Sequence, residues 1–242
     1  MVALSVNVNK IATLRNARGG TIPDLAAGVR VCVEAGAAGI TVHPRADERH
    51  ITRSDALAVG RWLEEHAPEV EYNIEGDPRP DWVALVESIA PTQATLVPVR
   101  PGEVTSEAGW RTSSTNDAAL AKVVQRLRAC GTRVSLFVDP DPEAVAWAAG
   151  VGAERVELFT EPYARGYPRD REAAMAPYRV AAEAALAAGL GINAGHDLNL
   201  DNLAYFAALP HLAEVSIGHA LVAEALFVGL AQAVRAYLRC LS

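Results

Sequence analysis

The sequence predicts an α/β protein, a (β/α)8 (TIM) barrel with additional helices, built as a single catalytic domain over residues 1–242. Two observations predict this fold class. Short runs rich in Val, Ile and Leu recur eight times along the chain. A stretch with helical periodicity follows each run. Continuous apolar runs are typical of buried parallel strands, and strand–helix alternation implies right-handed crossovers.

The boundaries follow from the pattern. Strands are predicted over 3–8, 39–42, 70–74, 94–97, 134–138, 155–159, 190–193 and 214–217. Helices are predicted over 23–35, 54–66, 82–89, 117–129, 142–149, 171–188, 200–208 and 220–238. Gly36, Gly131 and Gly189 stand between a predicted helix and the next strand, where glycine favours a left-handed helix stop. The segments 11–21 and 162–170 predict extra loops or helices.

The number of units decides between two architectures. A doubly wound open sheet is the alternative to a closed barrel. No Gly-x-Gly-x-x-Gly motif follows the first predicted strand, and a count of eight favours closure. No stretch of the chain resembles an interdomain linker, which is why one domain is expected.

Composition limits the partners. The formal net charge of −7 disfavours nucleic acid and anionic membranes as partners. A bound phosphate therefore needs a local cluster of positive groups. Only Lys10 and Lys122 of the 22 basic residues are lysines, and the many arginines suit two-pronged recognition of phosphate or carboxylate.

Cysteine usage and hydropathy indicate the compartment. The three cysteines, Cys32, Cys130 and Cys240, show neither CxxC pairing nor metal spacing, which favours structural thiols in a reducing compartment. The first ten residues are too short and too polar for a signal peptide, and no apolar run approaches membrane-spanning length. We expect a soluble, cytoplasmic protein.

Polar residues cluster where the predicted strands end. In a barrel these positions meet at one mouth, where function resides. Four of the six histidines fall there, and this convergence favours chemistry over isolated structural hydrogen bonds. The residues at these ends include Asn7, Asn9, Lys10, His43, Arg45, His50, Glu75, Glu157, His196, Asp197, Gly218 and His219.

Three constellations carry the chemistry. After strand 2, Arg45 and His50 suit a phosphate-binding arm and leave His43 for proton transfer; the alternative is a charged surface loop. A partly desolvated Glu75 suits a general base, the alternative being an ion pair with an arginine. Gly218 and His219 stand at the N-terminus of a predicted helix, where their main-chain N–H groups suit an anion site.

Metal binding is the lesser hypothesis. His43, His196 and Asp197 are possible ligands, yet the chain has neither HxH nor HExxH spacing. We expect no metal.

Seven ordered motifs carry a family resemblance: VNVNKIATLRNARG, GITVHPRADERHI, YNIEG, LVPVRPGEVTSEAGW, VSLFVDP, GINAGHD and VSIGHA. Together they resemble the pyridoxine 5′-phosphate synthase family from the first strand to the last helix. That resemblance implies condensation of 1-deoxy-D-xylulose 5-phosphate with 3-amino-2-oxopropyl phosphate to pyridoxine 5′-phosphate, phosphate and water. It also implies no cofactor, no metal, and octamers built from dimers.

The resemblance also assigns roles. His43 and Glu75 match the family's proton acceptors, His196 matches its proton donor, and Glu157 matches a residue that stabilises transition-state charge. The family's residues that contact the amino-ketone phosphate correspond here to Asn7, Arg18, Gly218 and His219. Those that contact the deoxyxylulose phosphate correspond to Arg45, His50 and Thr105.

Six positions depart from the family pattern. Asn9 and Lys10 stand where Asp-His is usual, Phe159 and Glu161 replace the histidine and the glycine of a His-Thr-Gly run, Asp197 replaces a glycine, and Val99 replaces an acidic residue. The expectation is that Asn9, Lys10 and Asp197 bind substrate, with Lys10 or an arginine balancing Asp197. The loop 100–110 is the candidate lid, with Gly102 and Gly109 as flexible points.

Two rival functions are open. One is an aldolase that forms a Schiff base with its lysine, for which Lys10 is the credible candidate. The other is a catalytically silent barrel that senses a phosphorylated metabolite. His43, Glu75 and His196 together disfavour the sensor, because phosphate binding alone requires none of them.

Overall fold

A closed barrel of parallel strands forms the centre of the molecule. The computed structural model describes residues 2–98, 108–110 and 117–242. Each strand pairs with its successor in sequence, and the last strand pairs with the first. The predicted barrel is confirmed and the open-sheet alternative is wrong. The strands in the described residues are β1 (Ala3–Asn7), β2 (Gly39–Val42), β3 (Glu71–Gly76), β4 (Gln93–Leu96), β5 (Arg133–Val138), β6 (Arg155–Leu158), β7 (Gly191–Ala194) and β8 (Leu212–Ile217).

Helices surround the barrel and cover its apolar outer face. Within the described ranges none of them is both long and apolar enough to cross a membrane. They are α1 (Asn9–Asn16), α2 (Leu25–Glu34), α3 (Arg53–His66), α4 (Pro80–Ile89), α5 (Asp117–Ala129), α6 (Pro142–Val151), α7 (Glu161–Gly166), α8 (Arg171–Ala187), α9 (Leu203–Phe206), α10 (His219–Val228) and α11 (Leu230–Cys240).

The helix boundaries differ from the prediction at two places. The predicted helix over 220–238 is two helices, because Gly229 adopts a left-handed φ of 88° between them. The helix predicted over 200–208 shrinks to α9, since the side chain of Asn199 accepts hydrogen bonds from the backbone N–H groups of Asp201 and Asn202. Such local side-chain bonds compete with helical ones. Two additional helices, α1 and α7, lie in the segments flagged as extra.

Local signals explain why the other helices begin and end where they do. Thr52 and Asp55 form a reciprocal capping box at the start of α3. The predicted glycine stops at Gly36, Gly131 and Gly189 all have positive φ, as a left-handed helix end requires.

The barrel strands are not the continuous apolar runs that the prediction assumed. In β1, for example, Leu4 and Val6 belong to the hydrophobic core while Ser5 between them is a buried polar residue. Side chains alternate between the two faces of a strand, so one face of this barrel is polar. The buried polar residues on the strands are Ser5, Thr41, Asn73, Gln93, Thr95, Ser135, Glu157, Asn193, Glu214 and Ser216.

Contacts between strands that are not neighbours show that the polar face is the interior. Asn193 Nδ2 on β7 donates to Gln93 Oε1 on β4 over 3.2 Å. The ion pair between Arg133 on β5 and Glu71 on β3 measures 2.5 Å. Only the lumen lies between such strands. Barrels of this class are usually filled with Val, Ile and Leu, and this one is filled with hydrogen-bonding groups instead.

Six of these side chains form a connected cluster toward the N-terminal end of the lumen, which we call the floor cluster. Arg133 Nε donates to Gln93 over 3.0 Å, and Arg155 Nη1 donates to Asn193 over 3.0 Å and lies 3.8 Å from Glu214. The two arginines pair with two carboxyls, the partly buried Glu71 and the buried Glu214. The members are Glu71, Gln93, Arg133, Arg155, Asn193 and Glu214.

Removing one cation from the floor cluster should be costly. We expect Arg155→Met to lower the free energy of unfolding by about 3 kcal/mol, because it leaves a buried carboxyl without its partner. Arg126→Met is the matched control: Arg126 is exposed and pairs with Glu87 at the surface, so its loss should cost less than about 1 kcal/mol. Urea titration measures both, and equal costs would contradict a structural role for the cluster.

Candidate active site

Four side chains predicted for proton transfer and charge stabilisation meet at the C-terminal mouth of the barrel. His43 Nδ1 lies 3.6 Å from Glu75 Oε2. The charge of Glu75 in turn acts on Glu157, and Glu157 and His196 act on one another. Residues from four different strand ends thus converge, as the sequence predicted.

Glu75 sits at the centre of this group. Asn7 Nδ2 donates to Glu75 Oε2 over 3.4 Å, across the lumen from β1 to β3. Trp82 Nε1 donates to the Glu75 backbone carbonyl over 2.9 Å and so fixes the end of β3. Burial, followed by the charge of Glu214, raises the pKa of Glu75 to about 8, against the usual 4.5. Such a carboxyl exchanges its proton near neutral pH.

His43 faces Glu75 from the loop after β2. Its backbone N–H donates to Asn9 Oδ1 over 2.9 Å, so Asn9 holds this loop in place. Burial, with the charges of His50, Arg45 and Arg79, lowers the pKa of His43 well below 6.5. Among the described residues, its Nε2 atom has no hydrogen-bond partner. The ring is therefore a neutral imidazole at neutral pH.

Arg45 and His50 form a buried positive corner beside His43. Both are 8% exposed, and the two imidazole rings lie 6.1 Å apart between centroids. The backbone N–H of Ile51 donates to His50 Nδ1 over 2.9 Å, which places the His50 proton on Nε2. Burial and the charges of Arg45 and Lys10 lower the pKa of His50 to about 4. The corner offers one fixed cation and one neutral N–H donor.

Glu157 lies deeper, on β6. It is 4% exposed, and burial followed by the charge of Glu75 raises its pKa to about 8, while the charge of His196 acts in the opposite direction. Two carboxyls that share a low-dielectric lumen cannot both ionise easily. At neutral pH Glu157 is a proton-carrying, hydrogen-bond-donating group.

His196 lies in the loop after β7, with its Nδ1 2.8 Å from Asp197 Oδ2. This contact corrects the expected pairing of Asp197 with Lys10 or an arginine. Burial lowers the pKa of His196, but the hydrogen bond and charge of Asp197, with the charge of Glu157, outweigh it and raise the pKa above 6.5.

The start of α10 stands next to Asn7. Gly218 precedes the helix and His219 is its first residue, as predicted. A Cβ atom on Gly218 would come within 3.0 Å of Asn7 Cβ, so glycine permits the close approach of the two strands here. The start of this helix therefore lies beside Asn7 at the mouth, and helix N-termini attract anions.

Other predicted residues are less involved or lie elsewhere. Lys10 is exposed on α1, and its charge lowers the pKa of both His50 and His196, so it faces the mouth. Arg18 lies in the exposed turn after α1, and within the described ranges no hydrogen bond or ion pair joins its side chain to the site. Thr105 is outside the described residues.

Most of the candidate lid over 100–110 also lies outside the described residues, Gly102 included. Its end is anchored: Gly109 N–H donates to Asp139 Oδ1 over 2.9 Å, and Trp110 Nε1 donates to the Leu96 carbonyl over 2.8 Å. A Cβ atom on Gly109 would overlap the backbone of Val138 and Asp139. Gly109 is therefore a close-packing position and not the flexible point that we expected.

Sequence reasoning missed Arg79, which contributes a positive charge beside His43 and donates from Nη2 to the Pro44 carbonyl over 3.5 Å. Its only sequence signal was its loop position near a strand end. Arg15 follows the first predicted strand, but the sequence did not reveal its role: it forms a two-pronged ion pair with Asp55 at 2.7 Å and 2.8 Å and ties α1 to α3.

The mouth does not resemble a metal centre. In residues 2–98, 108–110 and 117–242 no group of three or more His, Cys, Asp or Glu side chains is arranged to hold a metal ion. The arrangement is a set of proton-exchanging groups flanked by positive donors.

The raised carboxyl pKa values predict a pH-dependent stability. Glu157 binds a proton in the folded state up to about pH 8 but releases it near 4.5 when unfolded, so stability falls as pH rises through this window. We expect Glu157→Gln to be about 2 to 4 kcal/mol more stable than wild type at pH 9 and similar at pH 4.5.

Urea titrations at the two pH values measure this difference. The exposed Glu183 on α8 supplies the control, because Glu183→Gln should leave the pH dependence unchanged. Parallel curves for wild type and Glu157→Gln would show that Glu157 has an ordinary pKa.

Solved structures share the fold. A thiamine phosphate pyrophosphorylase from Pyrococcus furiosus superposes with a TM-score of 0.62 at 13% identity, over 99% of this chain and 95% of its own. A phosphoribosyl anthranilate isomerase from Thermotoga maritima gives 0.61 at 14% identity, over 100% and 98%. At such identities the likeness concerns the barrel alone.

Sequence relatives share far more. Proteins named pyridoxine 5′-phosphate synthase are 52% identical over 98% of both chains in Porphyromonas gingivalis, and 50% identical over the full length of both in Bacteroides fragilis. A third, from Xanthomonas oryzae, is 50% identical over 98% of this chain and 95% of its own. Residues 4–242 match the family described as pyridoxal phosphate biosynthesis protein PdxJ. The chain therefore belongs to the PdxJ family, and the site at the mouth of its barrel is that of a PdxJ family member.

Proposed function

We propose that the chain is a pyridoxine 5′-phosphate synthase that condenses 1-deoxy-D-xylulose 5-phosphate with 3-amino-2-oxopropyl phosphate. That it is an enzyme of pyridoxal phosphate biosynthesis follows from its family. The observation that carries the proposed reaction is the group at the mouth: a buried carboxyl, Glu75, 3.6 Å from the neutral imidazole of His43, with His196 nearby and raised in pKa.

Two anion sites would hold the two phosphates. Arg45 presents a guanidinium fork and His50 an Nε2–H donor at one corner, which suits the deoxyxylulose phosphate. At the start of α10, the N–H groups of Gly218 and His219 beside Asn7 suit the amino-ketone phosphate. Arg18 and Thr105 are further contacts in this proposal, Arg18 for the amino ketone and Thr105 for the deoxyxylulose phosphate.

The proposed chemistry begins between the two substrates. The amine of one attacks the ketone of the other, and loss of water leaves an imine. Proton removal beside the imine, loss of phosphate, addition of water at the carbon that phosphate leaves, aldol-like ring closure and two further losses of water give the aromatic product. The balance is one pyridoxine 5′-phosphate, one phosphate and two waters. Each step moves a proton, so groups that exchange protons near neutrality are required.

Each side chain takes the proton-transfer role that suits its protonation near neutral pH. Glu75 exchanges its proton near neutral pH and acts as the main base. His43 is neutral and accepts a proton, whereas His196, whose pKa is raised, is the group suited to donate one to a leaving oxygen. Glu157, protonated at neutral pH, donates a hydrogen bond to negative charge that develops in the transition state.

The proposal needs neither metal nor cofactor, because these four groups supply the acid–base steps of a transferase-type condensation. A cytoplasmic location suits the three cysteines, all of which are free. The exposed apolar side chains of Ile22, Leu226 and Phe227 support a homo-oligomer, expected as an octamer built from dimers. Sedimentation of the purified protein would test that assembly.

The direct test mixes the enzyme with both substrates and follows pyridoxine 5′-phosphate by absorbance and mass. Wild type should form it without added metal, and Glu75→Gln should lower kcat by about a hundredfold or more through loss of the general base. Glu69→Gln, an exposed change just before the same strand, is the control and should keep normal kcat. Absence of product with wild type would refute the proposed function.

An aldolase-like Schiff base is the competing function, and the position of Lys10 at the mouth favours it. We expect instead that Lys10→Ala raises KM for the deoxyxylulose phosphate more than it lowers kcat, because the substrate brings its own amine. Borohydride added during turnover, followed by mass spectrometry of the protein, separates the two. A substrate-sized adduct on Lys10 would establish the aldolase-like alternative.

A further inference from the structure

The side chains of two consecutive residues, His196 and Asp197, face each other in the loop after β7. Successive side chains of an extended strand point to opposite sides. Here the backbone turns immediately after Gly195, where the Leu198 N–H donates to the Gly195 carbonyl over 2.7 Å. That turn brings Asp197 Oδ2 to 2.8 Å from His196 Nδ1.

The backbone of Asp197 is held by hydrogen bonds to two neighbouring side chains. The Asp197 N–H donates to Thr160 Oγ1 over 3.2 Å, and Thr160 is fully buried at the end of β6. Asn202 Nδ2 donates to the Asp197 carbonyl over 3.5 Å. The Asn202 carbonyl accepts from the Tyr163 hydroxyl over 2.7 Å, which links the loop to α7. Thr160 after β6, and Asn202 held by Tyr163 of α7, therefore fix the position of the Asp197 backbone from which its side chain projects.

The imidazole is positioned from the other side. A Cβ atom on Gly195 would overlap the backbone carbonyl of Ser216, so the chain passes tightly against β8 just before His196. The ring of Phe159 lies 6.4 Å from the His196 ring. The backbone on both sides of the pair leaves it little freedom to separate.

The charged groups that face His196 come from three elements. Asp197 on its own loop and Glu157 on β6 favour the protonated ring, and Lys10 on α1 opposes it. Burial also opposes the charge, yet the pKa of His196 is raised, so the direct bond to Asp197 decides the balance.

We propose that Asp197 is a positioning residue for the reaction, one that binds Nδ1–H of His196, favours the protonated ring and directs Nε2 to the substrate. The catalytic part of this inference rests on the proposed function. Proton transfer by His196 then runs through Nε2, since Nδ1 is committed to the carboxylate. The same pair removes the repulsion that an unpaired Asp197 would exert on a phosphorylated substrate.

The first test measures the pair without any substrate. Exchange of the imidazole C2 proton for deuterium, followed by peptide mass spectrometry, gives the titration midpoint of each histidine. We expect the midpoint of His196 to fall by about one pH unit or more in Asp197→Ala and in the isosteric Asp197→Asn. Asp201→Ala is the control, because Asp201 is exposed on the same loop and carries the same charge.

The second test is kinetic. Loss of the proton donor at high pH gives kcat an alkaline limb, and the Asp197→Asn limb should move to lower pH by the same amount as the His196 midpoint. The ratio of wild-type to variant kcat then grows with pH, while KM for both substrates changes less than about threefold. Asp197→Glu, which retains a carboxylate, should restore part of the wild-type profile.

Opposite results would overturn the inference. If the His196 midpoint is unchanged in both variants, or if KM rises with an unchanged kcat profile, Asp197 contacts substrate and does not act through His196. The two tests also separate the failures. A wild-type protein that makes no product refutes the proposed function, whereas the exchange experiment still decides whether Asp197 governs His196.

Discussion

The hydrogen-bonded interior of the barrel is the constraint on which the rest of the structure depends. Buried polar groups are costly unless they are paired, so a lumen lined with Asn, Gln, Ser, Thr, Glu and Arg is stable only when their bonds are made across it. The floor cluster makes them between strands that are not neighbours: β4 with β7 through Gln93 and Asn193, and β3 with β5 through Glu71 and Arg133. The polar side chains of the lumen can therefore be paired only in a closed barrel, because an open sheet would separate these partners.

Burial in this lumen also prepares the groups at the mouth. The same desolvation raises the pKa of Glu75 and Glu157 and lowers that of His43 and His50, so the two carboxyls exchange protons near neutral pH while the two imidazoles are neutral there. His196 is the exception, because a carboxylate bonds directly to it. Environments that push the pKa values of neighbouring groups apart are what acid–base catalysis at one pH requires. In this protein burial shifts the pKa values of all these groups, and single contacts such as that between Asp197 and His196 change the shift at individual residues.

Charge is arranged on the same local principle. The chain carries a net charge of −7, yet Arg45, Arg79 and Lys10 all act on the histidines at the mouth. One corner of the mouth is therefore positive in an otherwise acidic protein. Barrels with 13% or 14% identity share the architecture, and a shared fold does not by itself imply a shared function.

The sequence by itself determined the features that depend on neighbouring residues. Strand count, the glycine stops at Gly36 and Gly131, and the polar residues at strand ends all follow from short-range periodicity and backbone preference, and the structure has them. The alternation of β1 was also present in the sequence, as Leu4-Ser5-Val6, but only closure decides that the polar face is interior. Which groups pair was decided by tertiary structure. Asn193 is 100 residues from Gln93, and Asp197 reaches His196 only because the turn after β7 is fixed by β6 and β8. Long-range contacts of this kind leave no local pattern, since their partners meet only when the barrel closes.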